Sequence, residues 1–162
     1  MKLGRLDAQL MPGAPTRIQL AGRIDDAVQF GDLIAQLPPG AVAVDTSDVT
    51  FVNSIGMREW IRFLRVLRDR GTPAILERVA DVLMTQMNLI TELRTAVQIV
   101  SFHAQYVCGT CGAEAAPVVD ALANAAALRR LEAPRLPCPE CNAQMELADF
   151  PERYLSIFKL DL

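Results

Sequence analysis

The first 107 residues switch repeatedly between two hydrophobic periods. "KLGRLDAQL" and "TRIQLAGRI" carry alternating apolar positions and are joined by the turn-rich "MPGAP", which predicts two short strands. In "DDAVQFGDLIAQL", Val28, Leu33, Ile34 and Leu37 share a helical face, and "PPG" at 38–40 ends the run. "AVAVD" is short and continuously apolar, the pattern of a strand inside a covered sheet. "TSDVTFVNS" then leads to the clearest helix of the chain. Its apolar stripe is Met57, Trp60, Ile61, Leu64 and Leu67, and Gly71 sits where a C-terminal cap belongs. "PAILERV" predicts a strand, "ADVLMTQMNLITEL" a helix, and "AVQIVSFHAQYV" one long strand. This alternation predicts an α/β fold, a sheet with helices packed on it and crossovers in the middle.

The pattern changes near Cys108, which predicts two units, residues 1–107 and 108–162. The second holds all four cysteines, in "YVCGTCGAEA" and "LPCPECNAQM": Cys108 with Cys111, and Cys138 with Cys141. Gly112 and Asn142 follow the pairs, and both residue types tolerate the left-handed backbone of a knuckle turn. Two C-x-x-C pairs at this separation predict a closed, tetrahedral structural Zn²⁺ site, hence a small zinc-ribbon-like domain. Two disulfides would require an oxidising compartment. A dithiol redox centre would require a cation beside one pair, and none flanks either. His103, the single histidine, reads as a strand side chain rather than a ligand.

Between the pairs, "PVVDALANAAALRRLEAPR" predicts a helical insert with Val118, Leu122, Ala125 and Leu128 as its packing face. After them, "DFPERYLSIF" predicts a terminal helix with Phe150, Tyr154 and Phe158 on one face and a capping-box-like start at Asp149 and Glu152. Such a helix is expected to dock on its own protein.

Composition narrows the function classes. At 51% hydrophobic and 22% charged, the 162 residues can bury a real core. The net charge of -3 argues against nucleic acid, and the segment 104–162 carries five basic against eight acidic residues. No long apolar run marks a signal peptide or a membrane span, so a cytoplasmic protein without membrane insertion is expected.

The junction "DVTFVNSIGMREW" carries a family resemblance. "VAVDTSDVTFVNSIGMREWIRFLRVLRDRG" resembles the STAS domain of anti-sigma-factor antagonists and sulfate-transporter tails: Asp45 closing a central strand, a D-S-S-G-like turn, then an amphipathic helix. The resemblance spans most of residues 3–107 in element order and implies a STAS-like mixed sheet with packed helices. It also implies that the turn and helix dock on a protein partner, a kinase or other regulator. In the antagonist branch the serine before the glycine is phosphorylated. Here that position is Ile55, Asn53 replaces the opening acid, and Ser54 and Gly56 match, so the usual phosphoswitch does not transfer. Asn53 and Ser54 can still cap the helix, and a helix N-terminus favours an anion. Arg58, Arg62, Arg65 and Arg68 form a basic stripe on the same helix, either a solvated face balanced by Glu59 and Asp69 or a contact for an acidic partner.

These features predict a non-catalytic regulatory or interaction module using Asn53, Ser54, Gly56, Arg58, Arg62 and Arg65, with a homo-oligomer as a further expectation. The alternative is a sensor of a small ligand, nucleotide or anion at the 53–56 turn, although no G-x-x-x-x-G-K phosphate loop is present. No Ser-His-Asp or Cys-His set is legible, so no enzyme is expected.

Overall fold

A computed structural model of the chain describes residues 1–71 and 73–159; residues 160–162, the end of the expected second unit, lie outside the described residues. The chain opens with β1 (Lys2–Leu3), β2 (Leu6–Met11) and β3 (Thr16–Ile24), then α1 (Phe30–Ile34), β4 (Val42–Val52) and α2 (Ser54–Asp69). It continues with β5 (Ala74–Glu77), α3 (Asp81–Met87), α4 (Leu93–Ala96), β6 (Val97–Ile99) and β7 (Ser101–His103). The remainder holds β8 (Tyr106–Cys108), β9 (Glu114–Ala115), β10 (Val118–Asp120), α5 (Ala125–Arg129), β11 (Leu136–Pro137), β12 (Gln144–Leu147), α6 (Pro151–Tyr154) and a 3₁₀ turn, Ser156–Phe158.

The sheet is mixed, and it has the helical crossovers in its middle that the alternating pattern predicts. Its six strands lie in the order β1-β2-β3-β4-β5-β6; β1, β2 and β3 are antiparallel neighbours, and β3 to β6 run parallel. Each parallel step passes through helix, because parallel neighbours require a crossover. Ile18, Leu20, Val44 and Leu76 are buried, whereas Arg17, Gln19, Asp45 and Glu77 alternate with them toward a more open face. On that face Arg17 pairs with Glu77 and Arg78 with Asp45. Under the sheet, Phe30 of α1 stacks on Phe63 of α2 with ring centroids 4.7 Å apart, and Trp60 lies 5.9 Å from Phe30.

The expected first strand is two, β1 and β2, and the expected terminal helix is a short helix followed by a 3₁₀ turn. Four further elements differ from the sequence pattern, each for a physical reason. Residues 25–29 are not helical. The Asp25 carboxylate accepts the Ala27 N–H at 3.0 Å and the Asp25 carbonyl accepts that of Val28 at 3.2 Å, a turn that delays the helix to Phe30. The predicted helix over 80–93 ends at Met87, where the Asn88 side chain donates to the Met84 carbonyl at 2.8 Å and competes with the helix ladder. The predicted long strand over 96–107 is divided among three sheets: β6 beside β5, β7 beside β10, and β8 beside β12. In the insert, 118–120 is a strand and only Ala125–Arg129 is α-helical, leaving Val118 and Leu122 exposed while Val119, Ala121 and Leu128 are buried.

Asp25 is 1% exposed and receives Arg5 Nη1 at 2.7 Å and Arg23 Nε at 3.3 Å, tying the β1–β2 turn to the loop before α1. Its carboxyl is held below the ordinary range, first by the Arg5 hydrogen bond, then by the Ala27 N–H, against the opposing effect of burial. A lowered folded-state pKa means that the unfolded chain binds this proton more readily. The stabilisation is therefore complete above the unfolded value, about 3.9, and is lost as pH falls through the folded value. Urea midpoints are expected to fall below about pH 4 for the native chain. The decline should be shallower for Asp25→Asn, which should also be less stable at pH 7. Equal slopes for the two proteins would contradict this role.

Candidate metal centre and adjoining groove

The two cysteine pairs fold into matching knuckles. In the first, Cys108 N–H donates to Ala113 O at 2.9 Å and Gly112 N–H to Cys108 O at 2.9 Å. In the second, Cys138 N–H donates to Ala143 O at 2.7 Å and Asn142 N–H to Cys138 O at 2.9 Å. Gly112 at φ +76° and Asn142 at φ +63° occupy the left-handed region, which is why these two residue types follow the pairs. β8 and β12 then bring the knuckles face to face, with Met145 opposite Cys108.

The four Sγ atoms lie within 4.8 Å of one another. Cys108 and Cys141 are 3.6 Å apart, as are Cys111 and Cys138. Four sulfurs at about 2.3 Å from a tetrahedral metal would be about 3.8 Å apart, close to the two 3.6 Å separations, so the cluster is gathered on the scale of such an ion. Cys108 and Cys138 are buried; Cys111 and Cys141 reach the surface.

The electrostatics of the thiols agree with that geometry. N–H groups of Cys111 and then Thr110 stabilise the Cys108 thiolate and pull its pKa down to about 6. At Cys111 the Ala113 N–H acts in the same direction, but contact with Cys141, burial and the other thiols outweigh it and push the value up to about 12. Cys141 is also raised: its Ala143 N–H is outweighed, chiefly by contact with Cys108. Closely packed sulfurs repel one another once charged, and a dication removes that repulsion. His103 stands outside the cluster, with Nδ1 2.8 Å from the Ala116 carbonyl.

The "NSIG" corner lies elsewhere, at the start of α2. Asn53 is the N-cap, its Oδ1 accepting the Gly56 N–H at 2.8 Å. Gly56 is buried against β3, where a Cβ would lie 1.8 Å from the Ile24 carbonyl oxygen. The glycine is thus required by helix-to-strand contact. Ser54, Arg58 and Arg65 line a groove of about 300 Å³ with Met57, Ile61, Gln86 and Ile90.

Of the basic stripe, Arg62 pairs with Glu59 at 2.7 Å and does not line the groove. Arg65 pairs with Glu92, and Arg68 with Asp69. Arg58 is exposed at the rim. Gln86 and Ile90 are not among the expected site residues, because the second wall is set by where α3 ends beside α2; their i, i+4 spacing is the signal in the sequence.

No family model matches the chain, and no curated protein matches its sequence. Among the described residues no helix is long and apolar enough to cross a membrane.

Proposed function

We propose that the protein is a non-catalytic regulatory interaction module, STAS-like over residues 1–107 and stabilised by structural Zn²⁺ at Cys108, Cys111, Cys138 and Cys141. The observation that carries the interaction role is the α2–α3 groove. It has apolar walls at Met57, Ile61 and Ile90 and cations at Arg58, which is exposed at the rim, and Arg65, whose present carboxylate partner is Glu92. That chemistry suits an acidic, amphipathic segment of a partner protein, whose apolar side chains enter the groove while its carboxylates meet the arginines.

Zinc is favoured by the all-thiolate, tetrahedral donor set. Four protein ligands complete the tetrahedron, which leaves no position for substrate or water and supports a structural rather than catalytic role. The mixed sheet, the Asn53 cap and the retained Gly56 support the STAS-like reading, and Ile55 at the acceptor position favours recognition without a covalent switch at that residue.

Affinity capture with native protein, compared with Arg58→Glu/Arg65→Glu, tests the docking surface. A protein bound by the native chain is expected to be lost or weakened on the order of tenfold or more by the double reversal, since like-charge juxtaposition at an interface costs several kcal/mol. Equal retention by a correctly folded variant would exclude the groove.

A further inference from the structure

We propose that the cysteine site governs the shape of the α2–α3 groove through the C-terminal segment. This coupling rests on the metal-site reading above and adds a physical route from that site to the groove. Metal orders the ribbon, the ribbon seats residues 151–158 on α3, and the seated segment fixes the turn that forms one groove wall.

The route begins at the second knuckle. β12 leaves it and pairs with β8, placing Glu146 opposite Val107 and Leu147 opposite Tyr106. Ala148 N–H extends that pairing by donating to Gln105 O at 2.9 Å, and Gln105 Nε2 donates to Asp81 Oδ2, at the start of α3, at 3.1 Å. The ribbon therefore delivers the following residues directly to α3. There Tyr154, Leu155 and Ile157 are buried, and Phe158 packs on Phe102 with ring centroids 5.2 Å apart.

Asn88 is the polar centre of this seat. It is 8% exposed, and its carboxamide nitrogen donates to Met84 O at 2.8 Å and to the Tyr154 carbonyl. Its Oδ1 accepts the Ile157 N–H at 2.9 Å, and its own carbonyl accepts the Ser156 hydroxyl at 2.8 Å. The Tyr154 hydroxyl donates to the Asp81 carboxylate at the other end of α3. Lifting the segment would remove Asn88's partners at Tyr154, Ser156 and Ile157. Buried polar groups left in that state are costly, so the local backbone must rearrange toward water.

That backbone belongs to the groove. Asn88 is followed by Leu89 and Ile90, whose N–H groups close tight turns onto Gln86 O at 3.1 Å and Met87 O at 3.0 Å. Gln86 and Ile90 form the wall that faces Met57 and Ile61 of α2. The two sites are thus joined by a contiguous series of paired strands and hydrogen bonds, and the element between them has two states, seated and released. Without the ribbon, the segment is tethered only through the chain that follows Leu128, which lowers its effective concentration at α3.

Hydrogen exchange on zinc-loaded, full-length protein, before and after chelation and with metal content measured in parallel, tests the coupling. Chelation is expected to speed exchange at 138–147, 151–158 and 84–90 together, on the order of tenfold or more, through loss of the tether's effective concentration. Amides of β4 and of the middle of α2 should stay slow. Asn88→Ala should retain zinc and a slowly exchanging ribbon, yet exchange fast at 84–90 and 151–158. If chelation loosens 138–147 while 84–90 and 151–158 keep their protection, the coupling is overturned and the metal reading stands. A native protein that holds no metal and keeps a protected ribbon overturns both. The chelation arm uses the unaltered chain, so it decides the matter even where Asn88→Ala does not fold.

Discussion

Replacing Cys111 and Cys141 together with serine is expected to abolish metal retention and, with it, the order of residues 106–115 and 136–147, the ribbon. These two ligands are exposed, so the substitutions remove sulfur without opening a cavity in the core. The ribbon has little else to hold it. β9 and β11 are two residues long, and its deeply buried side chains are few: Tyr106, Cys108, Cys138 and Met145. A segment of that size rarely folds on its own core, and a structural zinc site supplies apparent binding free energy on the order of 10 kcal/mol at pH 7. The buried side chains of the six-stranded sheet, α1 and α2 belong to one cluster with those of the ribbon but far outnumber them, and that part of the core should survive. Metal analysis of the purified variant, with amide NMR spectra of both proteins, checks the result. Ribbon resonances that remain dispersed in a metal-free variant would show that packing alone suffices.

The second large effect is expected at the corner between β4 and α2. Gly56→Ala should destabilise the fold by on the order of 3 kcal/mol or more, at or beyond the upper end of ordinary overpacking costs. The added Cβ would lie 1.8 Å from Ile24 O, 2.3 Å from Ile24 C and 2.8 Å from Asp25 N, and backbone cannot swing aside as a side chain can. Relief would require lifting the N-terminus of α2 away from β3, disturbing Met57 and Trp60 in the core. Ile55→Ser, one residue earlier, is expected to change stability little, because Ile55 is 48% exposed. Urea midpoints of the two variants at equal protein concentration make the comparison. A small effect at Gly56 would show that the contact with β3 is easily relaxed. If both expectations hold, the glycine serves helix packing, while position 55 is free to serve recognition.

The groove and the cysteine cluster occupy different parts of the molecule. The cysteine cluster joins two parts of one chain, whereas the groove is an open surface between α2 and the end of α3. Arg58 and Arg65 reach that surface from one helix, Gln86 and Ile90 from the next. The identity of the opposite wall therefore depends on how α3 ends, and α3 ends at the residue that grips the C-terminal segment.

Much of this was legible along the chain. The stripe of Met57, Trp60, Leu64 and Leu67 determines α2, because a helix buries one face at that spacing whatever surrounds it. The two C-x-x-C pairs, each followed by a residue that accepts positive φ, determine both knuckles, because the turn is a local requirement. The expected docking of the tail also follows from its amphipathic pattern, although Phe150 points outward and Asp149 binds the Phe150 N–H and Arg153 rather than forming a capping box. What the sequence did not determine was any boundary set by a distant partner. Asp25 breaks a helical pattern through its own turn to Ala27 and Val28, and Arg5, 20 residues earlier, holds its carboxylate there. The run from 96 to 107 reads as one strand, yet β5, β10 and β12 each claim a portion of it. The groove exists because α2 and the end of α3 lie side by side, and Asn88 stops α3 there with help from residues 154–157. Local periodicity and spacing carry the elements and the cysteine knuckles; pairing across the chain, which no short window contains, decides where the elements end and what they enclose.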